Sequence, residues 1–186
     1  MDLVAALRRH RCADEPEARD RDAIIAFVLK HPDPFDRRIV EGHLTASALV
    51  LSPSGDRVLL LHHRKLDRWL QPGGHAEPGE TVGEEIALRE AREETGVAGL
   101  ALHPTAPRPL DVDVHAIPAH GAEAPHEHLD LRYLVRAPDD SALVLNTDES
   151  HALRWFAQEE LDGLRLDPGL VRALAKARSL LAADPR

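Results

Sequence analysis

Cysteine and long apolar runs are nearly absent from this sequence. Cys12 is the only cysteine among 186 residues, which excludes an internal disulfide and a zinc site made of four cysteines. No stretch approaches the roughly 20 apolar residues that a membrane helix needs. Residues 1–10 also lack the basic start and apolar run of a signal peptide. We therefore expect a cytoplasmic protein without membrane association.

Positive charge is also in short supply. The sequence has 23 lysines and arginines against 32 aspartates and glutamates, a formal net charge of -9. Because a general affinity for nucleic acid needs a basic surface, we expect no stable nucleic acid binding. Small phosphorylated ligands remain compatible with this charge, since a bound metal ion can supply positive charge locally.

The first 40 residues are predicted to be helical. Asp14 precedes Pro16 as a helix cap and first-turn proline, and the prolines within residues 31–34 end that helix. The sequence therefore predicts an N-terminal helical extension at residues 1–40, followed by a main domain at residues 41–186. We expect the extension to pack on the main domain or on a partner subunit, and the second arrangement would make a homodimer.

After residue 43 the pattern changes to that of strands. A turn at residues 53–56 joins two apolar segments into a predicted hairpin. Strands are predicted at 44–51, 57–62, 69–71, 98–103, 109–117, 128–136 and 152–156, and helices at 82–95, from 158 and at 168–183. Strands and helices do not strictly alternate. This order predicts an α+β fold with a mixed or mostly antiparallel sheet, rather than a doubly wound parallel sheet.

The helix at 82–95 carries three clustered carboxylates. Thr81 and Glu84 form a capping-box pattern at its start, and Gly96 is a typical residue for its end. Further along, Glu90, Glu93 and Glu94 stand at i, i+3 and i+4, which puts them on one face. A solvated acidic face is the usual interpretation of such a helix. Here a Pro-Gly-Gly turn directly precedes the acids, and hard cations such as magnesium bind clustered oxygen ligands.

The spacing of this segment resembles the Nudix box. It runs from Gly74 through five residues to Glu80, then through eight residues to the run Arg89-Glu90-Ala91-Arg92-Glu93-Glu94-Thr95-Gly96-Val97. The family pattern at residues 74–97 is complete except for one extra residue between Glu80 and Arg89. An inserted residue turns a helix by about 100°. We therefore expect it to be absorbed in the first turn, near residues 81–83, or as a single-turn bulge.

The resemblance implies a Nudix-like α/β/α sandwich with a mixed sheet and an enzyme of the pyrophosphohydrolase type. Similar proteins use Mg²⁺, for which Mn²⁺ may substitute, to activate a water that cuts a phosphoanhydride bond in a nucleoside diphosphate linked to another group. The implied metal ligands are the carbonyl of Gly73 and the carboxylates of Glu90, Glu93 and Glu94. The implied catalytic residues are Glu93, Arg89 and Glu149. Three residues are candidates for substrate binding from their own chemistry. Gly74 lets a substrate approach the backbone closely, and Arg64 and Lys65 either meet its phosphates or simply lie in a solvated hairpin loop.

The general base and several nearby side chains stay open. Glu149 is one candidate base, and Glu127 is another. The flanking residues His126 and His128 would point the same way only on a strand, so we favour an ordinary strand over a separate zinc site. The His62-His63 pair ends a strand next to the predicted cleft, so a contact with substrate phosphate stays open. We nevertheless favour packing roles for His62, His63, Trp69 and Trp155.

Three rival functions fit the sequence less well. A non-catalytic Nudix sensor would usually lose box carboxylates, and this sequence keeps them. An isoprenoid diphosphate isomerase of this family would need a cysteine near the cleft, whereas Cys12 lies in the extension. The third rival is an interaction protein with an acidic helix. The box reads the diphosphate, so an oxidised nucleoside triphosphate, a nucleotide sugar and ADP-ribose all remain candidate substrates.

Overall fold

The computed structural model describes residues 2–119, 121, 123–138, 142–147 and 150–183. Five helices lie in these ranges: α1 (Leu3–Arg8), α2 (Glu15–Lys30), α3 (Gly83–Thr95), α4 (Gln158–Leu161) and α5 (Pro168–Ala183). Eight strands accompany them: β1 (Gly42–Leu51), β2 (Arg57–His63), β3 (Arg68–Leu70), β4 (Gly73–His75), β5 (Ala101–Leu102), β6 (Asp111–Ile117), β7 (His126–Arg136) and β8 (Ser150–Ala157).

Strand β1 is the centre of a mixed sheet. It runs parallel to β7 and antiparallel to β2 and β4. Strand β6 extends the sheet beyond β7, and β8 pairs with β2. All ten residues of β1 are buried, because helices cover both faces of the sheet around it. The predicted α+β fold with a mixed sheet is confirmed, as is the predicted hairpin of β1 and β2.

Two hydrophobic clusters hold helices against the sheet. In the first, Ile86 and Ala91 of α3 pack against Ala46 and Val50 of β1. In the second, Leu170 and Leu174 of α5 pack against Leu49 of β1 and its neighbours. Alternate residues of β1 therefore face α3 and α5, as the two-residue period of a strand requires. The result is a helix–sheet–helix arrangement.

The N-terminal helices pack on the same core. The side chain of Asp14 caps α2 by accepting a hydrogen bond from the backbone N–H of Glu17 at 2.8 Å, as the sequence predicts. Leu7, Ile24 and Phe35 belong to the cluster that contains the buried face of α3. Within the described ranges, no helix combines the length and apolarity that spanning a bilayer would require.

One local prediction was wrong, and one short strand was missed. The predicted capping box of Thr81 and Glu84 is absent, since α3 begins at Gly83 with Val82 as its cap and no side-chain hydrogen bond there. Glu84 instead hydrogen-bonds Tyr133. The short strand β4 was also missed. Because α3 is a continuous α-helix from Gly83 to Thr95, the extra residue of the box lies ahead of the helix and makes no bulge within it.

Candidate functional site

Helix α3 approaches β4 closely because β4 contains two glycines. An ideal Cβ placed on Gly74 would lie 2.7 Å from the carboxyl carbon of Glu90, closer than real Cβ contacts. The antiparallel pairing of Gly74 with Ala46 places both on the face that α3 covers. A glycine at this position therefore lets the Glu90 carboxylate rest on the strand backbone.

Glu94 contacts Gly73, the residue before Gly74. The backbone N–H of Gly73 donates a hydrogen bond to its Oε2 atom at 2.8 Å, and Glu94 is 7% exposed. Glu93 differs, because 54% of its side chain is exposed. The helix thus directs Glu90 and Glu94 toward β4 and leaves Glu93 at the edge of the site.

Arg89 connects the carboxylates of the site. Its Nη1 donates to Glu90 at 3.1 Å and to Glu93 at 3.0 Å. Its Nε and Nη2 donate to Glu80 at 3.0 and 2.9 Å, and Nη2 also donates to the carbonyl of His75 at 2.7 Å. Hydrogen bonds from Arg89 lower the pKa of Glu80 below its usual range, and the bond to Glu80 raises the pKa of Arg89. One guanidinium therefore joins the start of the box, the helix and β4.

The donor set suits a hard divalent cation. Three carboxylates, those of Glu80, Glu90 and Glu93, accept hydrogen bonds from the one guanidinium of Arg89. Glu94 accepts from the N–H of Gly73 instead, so these groups together carry excess negative charge. Their oxygen atoms are the ligands that Mg²⁺ and Mn²⁺ prefer. Around β4 the structure brings together Arg89 and the residues that the sequence predicts to be metal ligands.

The other residues named from the sequence lie in several places. Arg64 and Lys65 lie in the turn between β2 and β3, where Arg64 donates to the carbonyl of Thr147 at 2.5 Å and Lys65 is exposed. Glu149 lies outside the described residues. Glu127 is exposed on β7, and its backbone pairs with Gly42.

The aromatic residues take packing positions. Trp69 packs edge-on against Phe156 with ring centroids 4.7 Å apart, and it also packs edge-on with His62, with centroids 5.0 Å apart. Arg57 lies over Trp155 at 5.8 Å. These contacts agree with the packing interpretation of the sequence.

Five histidines that sequence reasoning did not connect meet at one end of the sheet. We call this group the histidine cluster: His43 of β1, His75 of β4, His115 of β6, and His126 and His128 of β7. The i, i+2 spacing of the β7 pair was the only local signal. His75 joins the cluster through its side chain, while its carbonyl binds Arg89.

Cys12 lies away from the box, as expected. It groups with His10 and Glu17, and the Glu17 carboxylate binds Lys176 of α5. Burial raises the pKa of the Cys12 thiol, which favours its neutral form.

A family model described as "NUDIX domain" matches residues 42–177. Among curated proteins, the putative 8-oxo-dGTP diphosphatase 3 of Mycobacterium tuberculosis (strain CDC 1551 / Oshkosh) is 28% identical over 152 residues. That match covers 77% of this chain and 66% of the relative.

Solved structures share the fold. A NUDIX-family hydrolase from Clostridium perfringens is 26% identical with a TM-score of 0.57, covering 74% of this chain and 97% of that one. A C. elegans Ap4A hydrolase in a binary complex is 20% identical with a TM-score of 0.58, covering 76% and 98%. The NUDIX domain of Shewanella oneidensis NrtR, complexed with ADP ribose, is 18% identical with a TM-score of 0.54, covering 84% and 97%.

Proposed function

This chain belongs to the NUDIX family of Nudix-type pyrophosphohydrolases, and we propose that it hydrolyses a phosphoanhydride bond in a nucleoside diphosphate linked to another group, with Mg²⁺ as cofactor. The observation that carries the proposal is the assembly of Arg89 and the box carboxylates against the Gly73-Gly74 strand. This arrangement offers clustered oxygen ligands beside a backbone that a diphosphate can approach.

The residues proposed to hold the ion are the carboxylates of Glu90, Glu93 and Glu94 and the carbonyl of Gly73. A divalent ion bound there neutralises diphosphate charge and lowers the pKa of the attacking water. Glu94 is held in place by the N–H of Gly73, and Glu90 is held between Arg89 and Gly74. These contacts hold two of the proposed metal-binding carboxylates in position before the ion binds. The side chains therefore need less reorganisation on metal binding.

Glu93 and Arg89 are proposed to play different parts. Glu93 keeps half of its side chain in solvent, so it can reach a water molecule on the open side of the helix. Arg89 is a positioning residue, because its guanidinium N–H groups already donate hydrogen bonds to Glu80, Glu90, Glu93 and the His75 carbonyl. Glu149 is a second proposed general base beside Glu93.

The substrate class is proposed from the relatives. The match spans 66% of the length of the curated diphosphatases, so their named activity is a guide to the first compound to test. The relatives described above are named for 8-oxo-dGTP and Ap4A, and one was solved with bound ADP ribose. All three compounds contain a nucleoside diphosphate unit linked to another group, which is the feature that the box would bind.

The test is a hydrolysis assay on the full chain. The assay uses 8-oxo-dGTP, Ap4A and ADP-ribose, each with Mg²⁺ and with Mg²⁺ removed by a chelator. We expect nucleotide release from at least one substrate only when Mg²⁺ is present. Glu93→Gln and Glu94→Gln should each lower kcat/KM by about 100-fold or more, the effect of losing one charge-stabilising group in a catalytic site.

The matched control is Glu85→Gln, which removes an exposed carboxylate from the same helix and should leave kcat/KM unchanged. Full activity in both site variants would contradict the assignment of these residues. Nucleotide binding without turnover of any substrate would instead favour the sensor function.

A further inference from the structure

We propose that the histidine cluster is a second metal site, distinct from the carboxylate site, which binds one Zn²⁺-class ion through His43, His75 and His128. Each of these residues offers a ring nitrogen within 4.8 Å of those of the other two. They come from three strands, β1, β4 and β7, which sheet pairing brings side by side.

The spacing of the nitrogens matches shared coordination. The Nε2 atoms of His75 and His128 are 3.1 Å apart, and those of His126 and His128 are 3.3 Å apart. Two nitrogens bound tetrahedrally to zinc at about 2.0–2.1 Å lie roughly 3.3 Å from each other. His126 is therefore placed to supply the fourth donor of a tetrahedral shell.

Hydrogen bonding alone leaves the cluster poorly satisfied. Both ring nitrogens of His43 are buried and have no hydrogen-bond partner among the described residues. The Nε2 atom of His128 faces two other ring nitrogens. Because a neutral imidazole nitrogen carries either one hydrogen or one lone pair, it makes one good hydrogen bond there and not two. A cation that accepts lone pairs would give one of the His43 nitrogens a partner, and it would let the ring nitrogens of His75, His126 and His128 face one another as ligands.

The surroundings of the cluster disfavour charged rings. Burial lowers the pKa of His43, His75 and His128 below the usual range of histidine. Arg37 is a nearby cation, and its guanidinium is paired with Glu123 at 3.5 Å. Neutral imidazoles suit zinc and its transition-metal neighbours, whereas Mg²⁺ prefers oxygen.

The two sites lie on opposite faces of the sheet. Gly74 faces α3, whereas its neighbour His75 directs its side chain to the histidine cluster, since adjacent strand residues alternate in direction. An ion bound by His75 would tie β4 to β1 and β7 beside the carbonyl that binds Arg89. It would thus brace the strand that carries Gly73 and Gly74.

The experiment measures metal binding by the full chain in saturating Mg²⁺, which occupies the proposed carboxylate site. After chelator treatment and dialysis, the protein is titrated with Zn²⁺ by calorimetry and with Co²⁺ by visible absorption. We expect one Zn²⁺ per chain, a rise in Tm, and the strong visible bands of four-coordinate Co²⁺. If the wild-type chain takes up no Zn²⁺ and shows only weak six-coordinate Co²⁺ bands, the proposal is wrong.

Variants locate the ion. His43→Asn and His128→Asn should each weaken Zn²⁺ binding at least about 100-fold, the upper end of the loss for a residue that only supports a ligand. His151→Ala removes an exposed histidine of β8 and should bind Zn²⁺ like the wild type. Circular dichroism checks that each variant is folded. If His43→Asn does not fold, the wild-type Zn²⁺ titration still tests the proposal.

Glu93→Gln separates this proposal from the proposed function. It should lower kcat/KM by about 100-fold or more, as stated above, and leave Zn²⁺ uptake intact. Loss of Zn²⁺ uptake in Glu93→Gln, with uptake retained in His128→Asn, would assign the ion to the carboxylate site and overturn the inference.

Discussion

The carboxylate of Glu90 lies so close to Gly74 that a Cβ added to the glycine would come within 2.7–2.8 Å of all three carboxyl atoms. The contact is with the far end of a flexible side chain, which can move aside at low cost. The neighbouring glycine differs, because a Cβ on Gly73 would meet Ser47 at 2.4 Å and the carbonyl oxygen of Ala46 at 2.8 Å. The backbone of β1 cannot move aside in this way.

Gly74→Ala should therefore lower the activity of the protein without unfolding it. The new methyl group displaces the Glu90 carboxylate, and we expect kcat/KM to fall at least about 10-fold while Tm changes little. Gly163→Ala is the control, since a Cβ there makes only an ordinary contact at 3.7 Å. Wild-type kinetics in Gly74→Ala would show that the position of Glu90 is unimportant.

Gly73→Ala, in contrast to Gly74→Ala, should mainly lower the stability of the fold. Its Cβ overlaps the backbone of a central strand, so β4 must separate from β1, and overpacking of this kind costs about 1–3 kcal/mol or more. Chemical denaturation should reveal this loss in the free energy of unfolding. A Gly73→Ala protein as stable as the wild type would contradict the close packing of β4 on β1.

Arg89→Lys should weaken catalysis although it preserves charge. A lysine ammonium cannot reproduce the fork that reaches Glu80, Glu90 and the His75 carbonyl together. We expect kcat/KM with Mg²⁺ to fall about 10- to 100-fold, as when a group that orients metal ligands is lost. Arg92→Lys is the matched control, since Arg92 is exposed and donates to the carbonyl of Leu100 at 3.2 Å. Equal kinetics in the two variants would refute the positioning role.

Glu17 should make stability depend on pH in the acid range. Burial alone would raise its pKa, but hydrogen bonds from His10, Lys176 and the N–H of Ala13 outweigh it and lower the pKa from 4.5 to about 2. The carboxylate therefore stabilises the fold above about pH 4.5, and this contribution of about 3 kcal/mol is lost as the pH falls toward 2. The free energy of unfolding, measured across that window, should fall more steeply in the wild type than in Glu17→Gln.

The control for that measurement is Glu15→Gln on the same helix. Glu15 pairs with Arg19, and both side chains are largely exposed, so the pair contributes little. Parallel stability curves for the wild type and Glu17→Gln would contradict the depressed pKa.

The N-terminal helices should contribute to stability as part of the core. Ile24 is 0% exposed and lies in the cluster with α3, so Ile24→Ala should lower the free energy of unfolding by about 2–5 kcal/mol. Leu29 lies on the same helix and is 65% exposed, so Leu29→Ala should be nearly neutral. A similar small effect of both changes would mean that residues 1–40 are a dispensable extension.

Features set by neighbouring residues in the chain could be predicted from the sequence. The spacing of Glu90, Glu93 and Glu94 fixes a helix face, and Gly96 has the left-handed conformation that ends α3, with φ 69°. The capping pattern of Thr81 and Glu84 is equally local, yet it failed. Gly83 packs under Tyr133, where a Cβ would lie 2.6 Å from the phenolic oxygen. Tertiary packing therefore determines where the helix begins.

The histidine cluster could not be predicted in this way. His43, His75 and His128 are far apart in sequence, and they meet only because β1 pairs with β4 and β7 in a particular register. A shift of one residue in either pairing would turn the histidines to opposite faces. Sheet register is not encoded by local spacing, so only the His126 and His128 pair left a signal in the sequence.

His75 contacts both the carboxylate site around Arg89 and the histidine cluster. Its carbonyl binds the guanidinium that organises the carboxylates, and its imidazole meets His128 on the other side of the sheet. Only the covalent bonds of one residue separate these two contacts. We therefore expect a ligand that holds or displaces the imidazole to shift the carbonyl that binds Arg89 on the opposite face.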